Sequence, residues 1–298
     1  MAIPSQQLEA WSNSGATALS ANAYTRIQTA LAAPGLPLSN VGTRIFLQGS
    51  YANDTHTRGD SDIDVVVLHD GVYHYDTSAL PADQLSAFQT NFVLATYQWS
   101  DFKRDVVQAL NLHFGTAAVT VGNKAIKVQT TAGRMTADVV PVFLHHRYVS
   151  YSSPLANSAH RGVQFFDNLS GPIINFPEQH IERGQAKNEA ARTRGNYKPT
   201  VRLFKNFRTW LVENGRLAEG VAPSYYIECA LYNVPDATFI GNFSNTVPAI
   251  LNHLWNVPYV NLWSQNGLIP LIGPDPTQWS ADNFRAFVAA ALVAWNNW

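Results

Sequence analysis

The stretch GSYANDTHTRGDSDIDVVV, residues 49–67, constrains this chain more than any other. A short apolar segment, TRIFLQ (43–48), runs into Gly49-Ser50, a turn-rich loop follows, and Asp62 and Asp64 then lead into a run of valines. Apolar, β-branched segments bounded by turn residues read as strands, so TRIFLQ and SDIDVVVL (61–68) are both expected to be strands. Side chains two apart on a strand face the same way. Asp62 and Asp64 therefore share one face, roughly 6–7 Å apart, and Ile63 and Val65 point into the core on the other. Two carboxylates held together repel unless a cation lies between them. Their hard oxygens suit Mg²⁺ or Mn²⁺, with phosphates and waters completing the shell.

A third carboxylate comes from MTADVVPVFL (135–144), where Asp138 is a lone acid in an apolar strand. An acid there is costly to bury unless it is paired or coordinates a metal. If this strand lies beside 61–68, the three acids can hold two metal ions about 3.5–4 Å apart. Gly49 lets the backbone approach an anion closely, a helix starting there would offer its N–H groups to phosphate, and the Ser50 hydroxyl adds a donor. The arrangement sets a triphosphate against metal ions, the geometry for nucleotidyl transfer: a hydroxyl attacks the α-phosphate and pyrophosphate leaves. An Asp-x-Asp alone would read as a cap or a solvated pair; Gly-Ser before it and Asp138 after it favour the site.

At 298 residues the chain is one large domain or two modest ones. A hydrophobic fraction of 46% is enough for a packed core, and a net charge of −1 argues against a broad nucleic-acid surface or a nucleic-acid activator. The single cysteine, Cys229, can form no internal disulfide and no C-x-x-C metal or redox pair. The first residues lack the basic and apolar regions of a signal peptide, and the apolar run FVAAALVAW (287–295) is too short to span a bilayer. A cytoplasmic protein with no membrane segment is expected, and Asn296-Asn297-Trp298 suggests no C-terminal conjugation.

The order of elements suggests helix, mixed sheet, then a helical half. A helix is expected over 15–33, one long helix or two over 82–114, and a hairpin around Gly122-Asn123. Pro141 points to an edge or a strand end in 135–144, and 161–167 and 171–176 read as short strands. After Pro177 helices are expected over 178–193, 199–214, 224–233, 244–256 and 280–296. The expected fold class is α+β: a mixed-sheet lobe (1–176) packed on a helical lobe (177–298), with the nucleotide in the cleft.

GSYANDTHTRGDSDIDVVV resembles the G-S…D-x-D signature of the polymerase-β-like nucleotidyltransferase superfamily. Gly-Ser-Tyr with Thr55 and Ser61-Asp62-Ile63-Asp64, and the later segments NFPEQHIERGQAKN, GNYKPTVRLFKNFRTWL and PSYYIECALYNVP, resemble more narrowly the bacterial cGAS/DncV-like nucleotidyltransferases (CD-NTases), nearest the CdnE-like members. The resemblance covers most of residues 40–257. It implies synthesis of a cyclic di- or trinucleotide second messenger from NTPs, and a downstream effector that the product activates in antiphage defence (CBASS).

Of the basic residues clustered over 183–208, Lys205 resembles the family's phosphate-binding lysine, and Lys187 is a second candidate for the triphosphate. Arg192, Arg194 and Arg208 read as a solvated helix face. Ser224 and Tyr225 match a Ser-Tyr pair that contacts triphosphate and base in related nucleotidyltransferases, although a serine cap is the plainer account of Ser224. Glu228, one turn on, is expected to pair within the helical half. Asn175 resembles a lid position where asparagine goes with a pyrimidine; its acceptor and donors suit uracil, so UTP beside ATP is the expected substrate pair. The rival readings are a template-independent RNA-tailing enzyme, which should carry a basic tract, and a nucleotide-binding partner without activity.

Overall fold

The structure is a computed structural model that describes residues 3–15, 18–36, 38, 42–58, 62–131, 135–167, 171–275 and 277–298. Ser61 of the Asp-x-Asp segment and Gly59-Asp60 before it lie outside the described residues. The chain divides into two compact units: a sheet unit (Ala16–Tyr51 and Ser61–Glu178) and a helical unit (Met1–Gly15, Ala52–Asp60 and Gln179–Trp298).

The sheet unit has seven strands among the described residues: β1 (Thr43–Gln48), β2 (Asp62–Asp76), β3 (Val119–Val121), β4 (Ile126–Thr131), β5 (Met135–Ser153), β6 (Ala156–Asp167) and β7 (Gly171–Asn175). β2 and β5 run parallel and the other pairs are antiparallel. The order is β1-β2-β5-β4-β3, with β6 also on β5 and β7 on β6. Alternation fixes the core. Ile63, Val65, Val67, Ala137, Val139, Ile126 and Val128 are fully buried, in one cluster with Ala23 and Ile27 of α2 (Ala18–Leu31) and Phe102, Val106 and Leu110 of α5 (Trp99–Phe114).

β2 and β5 are longer than the sequence suggested, and Pro141 sits inside β5 rather than at an edge or an end. The reason is a change of neighbour. β4 pairs with β5 as far as Val139, and β6 takes over from Phe143. Pro141 falls in the gap, where a missing N–H breaks no bond, and the Trp99 indole donates to its carbonyl at 2.8 Å. In β2 an irregularity between His69 and Tyr73 takes up Asp70, Gly71 and Val72, and the strand runs on past the expected end at residue 68. Residues 82–114 form two helices, α4 (Ala82–Asn91) and α5.

The helical unit is built from α6 (Pro177–Asn188, continuing from the sheet unit), α7 (Ala190–Thr193), α8 (Tyr197–Glu213), α9 (Ser224–Tyr232), α10 (Phe243–Asn256) and α11 (Ala281–Asn296). The single helix expected over 178–193 is thus two. Helical spacing aligns Phe204, Phe207 and Leu211 with Ile227, Val247, Ile250, Phe284 and Val288 in one core. A first helix, α1 (Ser5–Ser12), was not legible in the sequence. It buries Leu8 and stacks Trp11 on Phe207 at 5.5 Å. Arg202 and Asn206 donate to the Ser12 and Trp11 carbonyls at 2.7 and 2.8 Å, satisfying the helix end.

Candidate active site

The face of the sheet opposite the helices is polar where β1, β2, β5 and β4 run side by side. Asp64 lies opposite Asp138 in the parallel β2–β5 register, and Asp62 opposite Thr136. Lys127 of β4 lies opposite Asp138, and Gln48 of β1 opposite Asp64. Register partners share a face and adjacent strands lie about 4.8 Å apart, so three carboxylates stand together there. Asp62 is exposed, and Asp64 and Asp138 are half-buried. Asp62 accepts from the Thr136 hydroxyl and lies 3.7 Å from Lys127 Nζ. Burial raises the Asp138 carboxyl above its ordinary value; Lys127 opposes the shift and the charge of Asp62 adds to it. Thr136 and Lys127 were not foreseen, because only the strand register brings them to the aspartates.

Gly49 and Ser50 open α3 (Gly49–Ala52), directly after β1. Gly49 has φ +67°, which favours glycine. A Cβ added there would stand 3.1 Å from Asp64 Cγ and closer still to Oδ2, so the glycine lets backbone and carboxylate meet. In these rotamers no three His, Cys, Asp or Glu side chains among the described residues converge as ion ligands. The donor chemistry, three carboxylates on one face, nevertheless fits a hard divalent cation.

In the helical unit a second polar group surrounds Glu228, which is 5% exposed. Thr55 Oγ1 donates to its Oε1 at 2.7 Å, Lys205 Nζ lies 2.9 Å from the same oxygen, and His180 Nε2 is 3.2 Å from Oε2. Burial pushes the Glu228 carboxyl up, but Lys205 and His180 outweigh it and hold the group well below its ordinary value. Pairing within the helical half, as the sequence suggested, is what Glu228 does. Tyr225 stacks on His180 with ring centroids 5.4 Å apart and remains part-exposed. The helix cap is Pro223, not Ser224; the Ser224 hydroxyl accepts from Arg208 at 3.3 Å instead.

The expected contact of Lys187 with a triphosphate gives way. Lys187 is 2% exposed and donates to Val234 O and Asp236 Oδ1, both at 2.7 Å, with Tyr197, Tyr232 and Phe239 around its ammonium. It is an interior anchor. Arg192 and Arg208 also differ from a solvated face: Arg192 pairs with Asp236 at 2.7 Å, and Arg208 donates to Ala222 O at 2.6 Å. Asn175 ends β7, half-buried opposite Val163. Val163 lines a cavity of the sheet unit with Arg44, Phe46, Leu68, Leu144 and Pro177.

Residues 37–109, which include β1, β2 and α4, match the nucleotidyltransferase domain, and the class of protein is a nucleotidyltransferase. Residues 182–296 match the cGAS/DncV-like nucleotidyltransferase C-terminal helical domain. A cyclic UMP-AMP synthase of Rhodothermus marinus is 38% identical over 100% of this chain and 99% of its own. The cyclic nucleotide synthase CdnE01 of Staphylococcus haemolyticus is 37% identical over 100% of both chains. The solved structure of the Rhodothermus marinus CdnE c-UMP-AMP synthase with Apcpp and Upnpp superposes with a TM-score of 0.89, at 38% identity, over 99% of this chain and 97% of that one. This chain belongs to the cGAS/DncV-like nucleotidyltransferases. The α+β class expected from the sequence holds, a sheet-bearing part followed by a helical C-terminal region. Enzymes of this family use divalent metal ions. No helix among the described residues is long and apolar enough to cross a membrane.

Proposed function

We propose that this chain joins a uridine and an adenosine nucleotide into a cyclic dinucleotide, releasing pyrophosphate from UTP and ATP. The observation that carries the reading is the register that sets Asp64 beside Asp138, with Asp62 two residues along the same face and Gly49 against Asp64. Full-length similarity to a cyclic UMP-AMP synthase, whose structure holds analogues of both nucleotides, supports the choice of bases.

Asp62, Asp64 and Asp138 would hold two divalent cations, Mg²⁺ or Mn²⁺, which when bound neutralise phosphate charge and acidify the attacking hydroxyl. Asp138 accepts that hydroxyl's proton. Gly49 and Ser50 offer a close backbone approach and a hydroxyl to the triphosphate. Ser224 is the helical unit's candidate hydroxyl for the triphosphate, and the part-exposed Tyr225 ring presents a stacking face for a base. Asn175 selects uracil by pairing acceptor and donors with its imide edge. The product acts as a second messenger for an effector in antiphage defence, and no nucleic acid is needed for its synthesis. The RNA-tailing alternative is disfavoured by the net charge of −1.

The test is incubation of the purified protein with all four NTPs and Mg²⁺, with products resolved by mass spectrometry after phosphatase treatment. A phosphatase-resistant product containing U and A is expected, absent with Asp138→Asn, and Asn175→Ser should shift incorporation toward purines. Extended RNA, or use of ATP and GTP alone, would refute the proposal.

A further inference from the structure

Glu228 stands outside the three aspartates, yet it is buried and takes partners from three segments of the chain. Besides Thr55, Lys205 of α8 and His180 of α6, the Asn53 amide lies 3.5 Å from its Oε2. Two of these partners belong to the loop that runs on from Gly49-Ser50 through α3. The same loop is held by its backbone: Arg202 donates to Asp54 O at 2.6 Å, and Lys205 to Thr55 O at 3.0 Å. Asp54 itself sits at φ +54°, a left-handed turn conformation that aspartate adopts more readily than most residues.

The Lys205 ammonium has three donors. Here they meet three acceptors: Thr55 O, Thr55 Oγ1 at 3.3 Å and Glu228 Oε1. Lys205 is 3% exposed and Thr55 2%. The Thr55 hydroxyl accepts from Lys205 and donates to Glu228, which closes a ring of charge-assisted bonds around one loop residue. On its other oxygen Glu228 holds His180, whose ring backs Tyr225.

The geometry points to Glu228 as a positioning residue of nucleotidyl transfer. Together with Lys205 it fixes Thr55, and through Thr55 the backbone that continues from Gly49-Ser50. This inference rests on the nucleotidyl-transfer reading of the site and adds Glu228, Thr55 and His180 to it.

The test compares Thr55→Val, Glu228→Gln, Lys205→Met and the double variant Glu228→Gln/Lys205→Met. Pyrophosphate release gives kcat and KM for each NTP, thermal melting gives stability, and hydrogen exchange follows the amides of residues 53–58. Each single variant should lose about 10- to 100-fold in kcat/KM, as expected for one hydrogen bond to a charged group, and exchange faster at 53–58. The double variant removes both charges together, so it should regain melting temperature. Its kcat/KM should stay at the level of the worse single variant, which a merely structural pair would not show. Should Glu228→Gln fail to fold, Thr55→Val, which removes one hydroxyl, decides alone. Wild-type kinetics in folded Glu228→Gln or Thr55→Val would overturn the inference. So would an effect of Lys205→Met that multiplies fully with that of Glu228→Gln, because the two residues would then act independently of each other. If the wild-type protein releases no pyrophosphate from any NTP, the nucleotidyl-transfer reading falls; exchange at 53–58 still decides whether Glu228 and Lys205 hold the loop.

Discussion

Replacing Gly49 with alanine separates the cost of a backbone conformation from the cost of moving a carboxylate. At φ +67° an L side chain costs about 1–2 kcal/mol. The new Cβ would also stand 3.1 Å from Asp64 Cγ, where ordinary contact is 3.4–4 Å, and nearer still to Oδ2. The carboxylate, the mobile partner, must turn away. Gly115 supplies the control: its φ is +82° and an added Cβ there meets nothing within 4 Å. Both variants should lose stability, about 1–3 kcal/mol at Gly115, where φ +82° and ψ 151° form a conformation almost confined to glycine, so a few degrees of melting temperature at about 2–4 °C per kcal/mol. Only Gly49→Ala should lose turnover, by about 100-fold for a displacement on the order of 1 Å at a reacting site. Melting curves and pyrophosphate release on the two variants side by side measure both quantities. Equal turnover in Gly49→Ala and Gly115→Ala would refute the reasoning, because the contact with Asp64 would then not matter to the chemistry.

Asp138→Asn should abolish pyrophosphate release and raise the melting temperature of the metal-free protein. The folded carboxyl titrates above its ordinary 3.8, so its ionised form costs stability at neutral pH; a lower melting temperature would contradict this. Burial depresses His74, His145 and His146 below the usual 6.5, with nearby positive groups adding to the shift. A depressed histidine takes up its proton only on unfolding, so stability should fall as pH drops below 6.5, by up to about 1.4 kcal/mol per pH unit for each group. A melting temperature flat from pH 7.5 to 5.5 would count against it. Lys187→Met should cost about 2 kcal/mol through its lost bonds and leave KM for NTPs unchanged; a raised KM in the folded variant would return Lys187 to the nucleotide.

The sequence shows some of these elements and hides others for identifiable reasons. β1 is legible at 43–48 because a turn-forming glycine follows its last residue directly. The Asp-x-Asp face is legible because alternation separates Asp62 and Asp64 from the fully buried Ile63 and Val65. Lys127 and Thr136 are not legible, since their places depend on a register that local sequence leaves open. α1 escapes because its cap position, Pro4, offers no side-chain bond; the helix exists by virtue of Phe207, Arg202 and Asn206, far along the chain. Lys187 reads as a candidate for the triphosphate until Tyr197, Tyr232 and Phe239 are seen to enclose it.

The chain passes four times between its two units, and that path sets a timetable for synthesis. The bond from Arg202 to Ser12 joins residues 190 positions apart. At translation speeds of about 5–20 residues per second, the amphipathic start of the chain leaves the ribosome roughly 10–40 s before its partners exist. The loop carrying Thr55 waits for Lys205 across 150 positions. A nascent chain stalled before α8 therefore exposes Trp11 and the Thr55 loop to chaperones and proteases. A fragment beginning at Gln179 would lack two pieces of the helical unit.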